Sequence, residues 1–93
     1  MGYRIEYYQI VLDHDIPRLP GDMIMRIEKA IEERLATHPV SFGAPLRKWL
    51  AGFWKLRVGD WRIIYEIKGD TVSILMIAHR SKVYDLVLRR LPA

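Results

Sequence analysis

The fold is decided between residues 53 and 80. The run Phe53-Trp54-Lys55-Leu56-Arg57-Val58 is followed by Gly59-Asp60, then Trp61-Arg62-Ile63-Ile64-Tyr65-Glu66-Ile67-Lys68, then Gly69-Asp70, then Thr71-Val72-Ser73-Ile74-Leu75-Met76-Ile77-Ala78-His79-Arg80. A two-residue Gly-Asp loop between apolar runs favours a tight antiparallel hairpin, because glycine supplies the positive φ that such a turn needs. Two such loops in succession predict a three-stranded meander over Phe53–Val58, Trp61–Lys68 and Thr71–Arg80.

Working outward, Tyr3-Arg4-Ile5-Glu6-Tyr7 alternates apolar and polar with period two and reads as a half-buried strand. Residues Gln9–Leu19 suit a short helix disturbed at its end by Pro17. After the Pro20-Gly21 turn, Asp22 is placed to cap a helix running to about Thr37. Along that helix Met23, Ile24, Ile27, Ala30, Ile31 and Leu35 form one apolar stripe, with Arg26, Lys29, Glu32 and Glu33 outside it. Pro39 is expected to end it. Val40–Gly52, with Gly43, Pro45 and Gly52, reads as an irregular connection. Val83, Leu86, Val87 and Leu91 define a last amphipathic helix. The expectation is an α+β domain over residues 1–93: a small antiparallel sheet of four strands in β-α-α-β-β-β order, with helices packed on one face and a short C-terminal helix.

Composition narrows the chemistry. The chain has 93 residues, enough for one small core. It has no cysteine, which removes disulfides, thiolate nucleophiles and zinc-thiolate sites and fits a reducing compartment. The longest stretch free of Asp, Glu, Lys and Arg is Leu35–Leu46, 12 residues with two prolines, so no membrane span is expected. Arg4 and Glu6 interrupt the first apolar stretch, unlike a signal peptide, and a cytoplasmic location follows as the expectation.

The formal charge of +4 is unevenly spread. Residues 1–45 hold 5 basic against 7 acidic side chains, and residues 46–93 hold 10 against 4. A basic half of this kind suits a polyanionic partner, either nucleic acid or an acidic protein segment. Strand pleating locates part of it. Trp54, Leu56 and Val58 share a face with Trp61, Ile63, Tyr65 and Ile67, which helices must cover. Lys55, Arg57 and Arg62 then fall on the open face, with Glu66 as partial compensation. The last strand runs into Ala78-His79-Arg80-Ser81-Lys82-Val83-Tyr84, adding an imidazole, two cations and a phenol at a strand-to-helix junction.

Together these side chains describe a site for a phosphodiester beside an exposed base. Arginine binds phosphate with a planar fork. A lysine among other cations is eased toward its neutral, proton-accepting form. A tyrosine can stack on a splayed base. Other chemistries have weaker footing. His14, His38 and His79 show no metal-ligand spacing, Ser41, Ser73 and Ser81 lie in no nucleophile motif, and no phosphate-binding glycine loop is present. Asp13/Asp15 and Glu32/Glu33 are expected on solvated helix surface.

Residues Lys55–Glu66 resemble the "R-V-G-D-Y-R-I-I-Y" hairpin of the RelE/ParE superfamily of toxin–antitoxin toxins, with Trp61 where Tyr or Phe is usual. His79–Tyr84 resembles its "G-H-R-x-x-V-Y" ending, with Ala78 replacing the common Gly. The Glu32-Glu33-Arg34-Leu35 helix and the Phe42-Gly43-x-Pro45-Leu46 connection match as well, and the likeness is stronger to the RelE branch. It implies a ribosome-associated endoribonuclease that cuts messenger RNA in the A site without a metal or other cofactor, by attack of the ribose 2′-hydroxyl on the adjacent phosphate.

By position, the resemblance makes Lys55 the candidate general base and Arg62 the neutraliser of charge on the phosphorane. Arg80 would assist phosphate binding or leaving-group protonation, His79 is a second candidate acid, and Tyr84 would stack on or orient the base. Arg57, Lys82 and Lys48 would bind the RNA backbone. It also implies a cognate RelB-like antitoxin, acidic and helical. Two alternatives stand beside this reading: a ParE-like toxin that poisons DNA gyrase, and a non-catalytic basic module that binds an acidic protein.

Overall fold

A computed structural model describes residues 2–90. Its centre is one five-stranded sheet with spatial order β1-β5-β4-β3-β2. The strands are β1 (Arg4–Tyr7), β2 (Ala44–Pro45), β3 (Phe53–Val58), β4 (Trp61–Lys68) and β5 (Thr71–His79). The meander forms as the Gly-Asp loops predict: β3–β4 and β4–β5 are antiparallel, and Gly59 and Gly69 both take φ 60. The α+β class therefore holds.

Three features differ from the sequence expectation. First, β1 runs parallel to β5, with Arg4 opposite Thr71 and Tyr7 opposite Ile74, so the sheet is mixed. That pairing joins residues 67 apart in sequence, and no local pattern announces it. Second, a fifth strand, β2, pairs antiparallel with β3 inside the segment read as irregular. Third, helices lie on both faces.

On one face, α1 (Gly21–Ala30) continues through a wider turn, Ile31–Leu35. The buried residues Met23, Ile27, Ala30, Ile31 and Leu35 meet Leu56, Val58, Ile63, Tyr65, Val72, Ile74 and Ile77 of the sheet. The other face carries α3 (Val83–Arg90), whose Val83 and Val87 meet Ile64, Leu75, Met76 and Ala78. Neighbouring strand residues such as Ile63 and Ile64 are consequently both buried, as in strands covered on two sides. A bulge helps: the β4–β5 register slips between Ile64 and Tyr65, leaving Leu75 extra and turning both Leu75 and Met76 toward α3. Leu91, expected on this last helix, lies outside the described residues.

Helix ends also depart from expectation. Pro20, not Asp22, stands at the N-cap of α1, its carbonyl accepting from Met23 and Ile24. Asp22 sits in the first turn, where its charge suits the helix dipole. Pro39 opens a short helical turn, α2 (Pro39–Phe42), after the preceding helix is closed by Thr37 Oγ1 donating to the Glu33 carbonyl at 2.6 Å. Gly43 follows α2 because a Cβ there would lie 1.7 Å from the Tyr65 hydroxyl, which donates to the Pro39 carbonyl at 2.7 Å. This close approach is the physical content of the Phe42-Gly43 connection.

A candidate phosphodiester site beside the C-terminal helix

Between the ends of β3, β4 and β5 and the start of α3 lies a cavity of about 390 Å³. Lys55, Arg62, His79, Arg80, Ser81 and Tyr84 line it, above an apolar floor of Leu46, Ile64, Val83 and Val87. Five of the residues singled out in the sequence are thus brought together: Lys55, Arg62, His79, Arg80 and Tyr84. Arg57 is exposed on the same strand face but does not line the cavity, and neither Lys48 nor Lys82 reaches its wall.

Each side chain is placed by a local cause. Lys55 stands on β3 opposite Ile64, and Arg62 stands on β4 directly between Arg57 and Ala78. Buried Ala78 is small, which leaves room above it for the neighbouring guanidinium. Arg62 Nη1 donates to the carbonyls of Gly59 and Trp61, both at 2.9 Å, which holds the side chain over the hairpin turn. Its remaining donors have no protein partner among the described residues.

At the β5 end, the Ser81 backbone N–H donates to His79 Nδ1 at 3.2 Å, and Ser81 Oγ lies 2.9 Å from the same nitrogen. The backbone donor makes Nδ1 an acceptor, so the neutral ring carries its proton on Nε2. Trp61 packs edge-on against the imidazole at 5.5 Å, fixing the ring plane. The Arg80 N–H donates to the Asp60 carbonyl at 2.8 Å, and Arg80 Nε lies 3.6 Å from Asp60 Oδ1. With those side chains 65% and 71% exposed, this pair is weak and leaves the guanidinium available to a stronger anion.

Strand pleating alone makes Glu66 a partial counter-charge to the three strand cations. Glu66 is engaged elsewhere: it accepts from Tyr8 Oη at 2.8 Å and pairs with Lys68 at 3.1 Å, four residues along β4 from Arg62. That hydrogen bond to Glu66 raises the pKa of Tyr8, with burial adding to it, and the bond to Glu66 likewise raises that of Lys68. Lys55, Arg57 and Arg62 have no ion-pair partner among the described residues. The cavity therefore combines unneutralised cations with an imidazole, a phenol and an apolar floor, chemistry suited to an anion that carries an aromatic group.

Sequence reasoning missed the floor and the two helpers Ser81 and Asp60. Ser81 was legible in principle, two residues beyond His79. Asp60 was read only as a turn residue, although a hairpin turn necessarily lies beside the strand that pairs with its far arm.

Comparison with known proteins decides the family. Residues 7–84 match the family model described as the ParE toxin of the type II toxin–antitoxin system parDE. The chain belongs to the RelE/ParE superfamily of type II toxin–antitoxin toxins, in its RelE branch. Toxin RelG of Mycobacterium tuberculosis is 33% identical over 72 residues, covering 75% of this chain and 83% of RelG. Toxin RelE3 of Methanocaldococcus jannaschii is 30% identical over 74 residues, covering 76% of this chain and 84% of the relative. Among solved structures, a chain of the RelBE2 toxin–antitoxin complex of M. tuberculosis superposes with a TM-score of 0.80 at 29% identity, covering 86% of this chain and 100% of that one. No helix among the described residues is long and apolar enough to cross a membrane.

Proposed function

We propose that this RelE-family toxin is a metal-independent, ribosome-dependent endoribonuclease that arrests translation by cutting messenger RNA. The observation that carries the reading is the wall of the cavity, where Lys55, Arg62 and Arg80 converge with His79 and Tyr84 and no carboxylate is among the lining residues. A divalent cation would find one imidazole and three positive charges there, a donor set that repels it. An RNA phosphodiester would find charge-assisted donors on several sides.

The reaction is a transesterification. The 2′-oxygen forms a bond to phosphorus as the bond to the 5′-oxygen breaks, giving a 2′,3′-cyclic phosphate and a 5′-hydroxyl. One proton passes from the attacking to the leaving oxygen, so no other reactant is consumed. Lys55 is the candidate base for the 2′-hydroxyl. Arg62 offsets the extra negative charge of the pentavalent phosphorane, an interaction absent from the ground state and therefore effective on rate. Arg80, drawn from Asp60 by the phosphate, binds it or protonates the leaving oxygen, and the Nε2–H of His79 is the second donor for that proton. Tyr84, exposed at the start of α3, stacks on the base next to the cut. Arg57, Lys82 and Lys48, outside the cavity, contact the flanking backbone.

The partner is an acidic, helical RelB-like antitoxin, whose charge suits the basic half of the chain, and the site of action is the cytoplasm, where the ribosome presents the messenger. The solved relative in the RelBE2 complex supports that pairing.

Primer extension on messenger from translating ribosomes tests the proposal. Cuts inside codons, strongly reduced by Arg62→Ala, are expected, with a cyclic phosphate on the 3′ end of the upstream fragment. Because the matching family model bears the ParE name, a gyrase reading is the specific rival. Intact messenger together with a supercoiling defect would overturn the ribonuclease in its favour.

A further inference from the structure

Beside the cavity, residues 46–52 make an arch whose two feet are fixed. The Leu46 N–H donates to the Phe53 carbonyl at 2.9 Å, and Leu46 and Leu50 pack against the apolar cluster beneath α3. Between the feet, Lys48–Leu50 form a 3₁₀ turn closed by Leu50 N–H to the Arg47 carbonyl and Ala51 N–H to the Lys48 carbonyl. Arg47, Lys48 and Trp49 all face solvent at its crown. Trp49 is 74% exposed, although an indole ordinarily contributes a large area to a core.

Lys48 has φ 57, the single non-glycine residue with positive φ among the described residues. A lysine held in the left-handed region costs free energy that a freely evolving connection could shed, and such strain clusters where geometry serves a ligand. The turn leaves the indole exposed directly after two cations in the chain, Arg47 and Lys48. Neither Arg47 nor Lys48 has an ion-pair partner among the described residues. The stretch of chain that carries Trp49 is basic: no Asp or Glu occurs between Glu33 and Asp60, while Arg34, Arg47, Lys48, Lys55 and Arg57 all fall there. Leu46 is shared, lining the catalytic cavity on one side and anchoring the arch on the other.

We propose that Trp49, preceded by Arg47 and Lys48, is a stacking platform for an unpaired RNA base outside the catalytic cavity. The inference rests on the ribonuclease reading and extends its substrate contacts beyond Tyr84. Every base has a π-face, so an isolated aromatic in a cationic setting grips single-stranded RNA without reading sequence. A protein partner would call for a contiguous apolar patch, whereas the leucines beside Trp49 are turned inward and half-buried. Lys48, absent from the cavity wall, thereby acquires a place: it neutralises the phosphate next to the stacked base.

The test compares wild type, Trp49→Ala and Trp49→Phe on ribosomes programmed with one defined messenger, reading cleavage rate against ribosome concentration. Trp49→Ala is expected to raise the half-saturating concentration about ten-fold or more, with little change in maximal rate and an unchanged melting curve. Trp49→Phe, which retains a ring, is expected to recover most of the loss. An Ala variant with wild-type half-saturation, or a Phe variant no better than Ala, overturns the platform while leaving the ribonuclease intact. An Ala variant that cuts normally but loses antitoxin binding overturns it in favour of a protein surface. A wild-type toxin that does not cut at all overturns the ribonuclease reading, and the platform with it.

Discussion

Arg90, at the end of α3, grips Asp15 in a two-pronged ion pair, with Nη1–Oδ2 and Nη2–Oδ1 both at 2.6 Å. The two side chains are 10% and 7% exposed. Asp15 Oδ2 also accepts the Ile77 N–H at 2.9 Å, and Arg90 Nη1 donates to the Leu75 carbonyl at 3.3 Å. Strand β1 covers β5 only as far as Tyr7 opposite Ile74. Beyond that point the ion pair takes the place of a neighbouring strand, satisfying backbone groups that an exposed edge would leave open. It also ties the C-terminal end of α3 to the opposite layer, while Val83 seats the other end beside the cavity.

Removing one partner of this pair strands the other charge in a buried place. Asp15→Asn and Arg90→Ala should each cost about 3–5 kcal/mol, and Arg90→Lys should rescue little, because an ammonium cannot reproduce the fork. Chemical denaturation checks the magnitude. Hydrogen exchange should locate the first loss of protection in α3, since eight residues make no stable helix alone. A change below 1 kcal/mol would mean that the pair does not anchor the helix.

Asp15 also shows where sequence reading reaches its limit. It stands four residues from Val11 on the same helical face, and both are buried, but an acidic side chain next to Asp13 reads as solvated surface until its partner Arg90, far along the chain, is in view. The meander was legible because Gly59 and Gly69 carry its turns in their own conformations. Lys55 and Arg62 were legible as neighbours because pleating and hairpin register are local rules. The second covered face was less so. Ile63-Ile64 and Ile74 through Ala78 are continuous apolar runs, the mark of strands buried on both sides, yet alternation alone assigns such runs a single buried face. The cavity's apolar floor and the covering α3 follow from that second face.

Burial raises the pKa of Tyr65 to about 12. Its phenol is therefore held protonated in the fold beyond the pH at which an unfolded tyrosine ionises near 10. The stabilisation is fully present below pH 10 and is lost as pH rises from there toward about 12. Tyr65→Phe should flatten this alkaline limb of a stability–pH curve while costing about 1–3 kcal/mol at neutral pH, since it leaves the Pro39 carbonyl without its donor. An identical alkaline limb in the Phe variant would assign that pH dependence to other groups.

Gly43→Ala acts on the same contact from the other side. A Cβ 1.7 Å from the Tyr65 hydroxyl forces the ring or the Pro39–Gly43 backbone to move. Destabilisation of about 1–3 kcal/mol is expected, and pairing Gly43→Ala with Tyr65→Phe should recover part of it, because the displaced oxygen is then gone. Strict additivity in that double-mutant cycle would show that the two sites do not interact.

Arg57 lies directly across from Arg62 in the β3–β4 register, and like charges so placed repel. Arg57→Thr should therefore raise stability by about 0.2–1 kcal/mol. If Arg57 holds the RNA backbone, the same variant should bind messenger-programmed ribosomes more weakly, with a salt dependence shallower by about one phosphate contact. Thermal melts and a salt titration of half-saturation separate the two effects. A stability gain with an unchanged salt slope would remove Arg57 from the RNA path.

On the proposed mechanism, Arg62 is the residue on which the chemistry would depend most. Its Nη1 is spent on the Gly59 and Trp61 carbonyls, so the charge is held over the cavity before substrate arrives and need not reorganise as the phosphorane forms. Arg62→Ala should lower the maximal cleavage rate about 10²–10³-fold while costing only about 1 kcal/mol of stability from the lost hydrogen bonds. Arg62→Lys keeps the charge but not the plane: one ammonium cannot hold two turn carbonyls and still present donors to two phosphate oxygens. The Lys variant should thus recover binding better than rate, and single-turnover cleavage on translating ribosomes resolves the two. Full recovery by lysine would reduce Arg62 to a general positive charge, and a near wild-type rate in the Ala variant would take it out of the reaction.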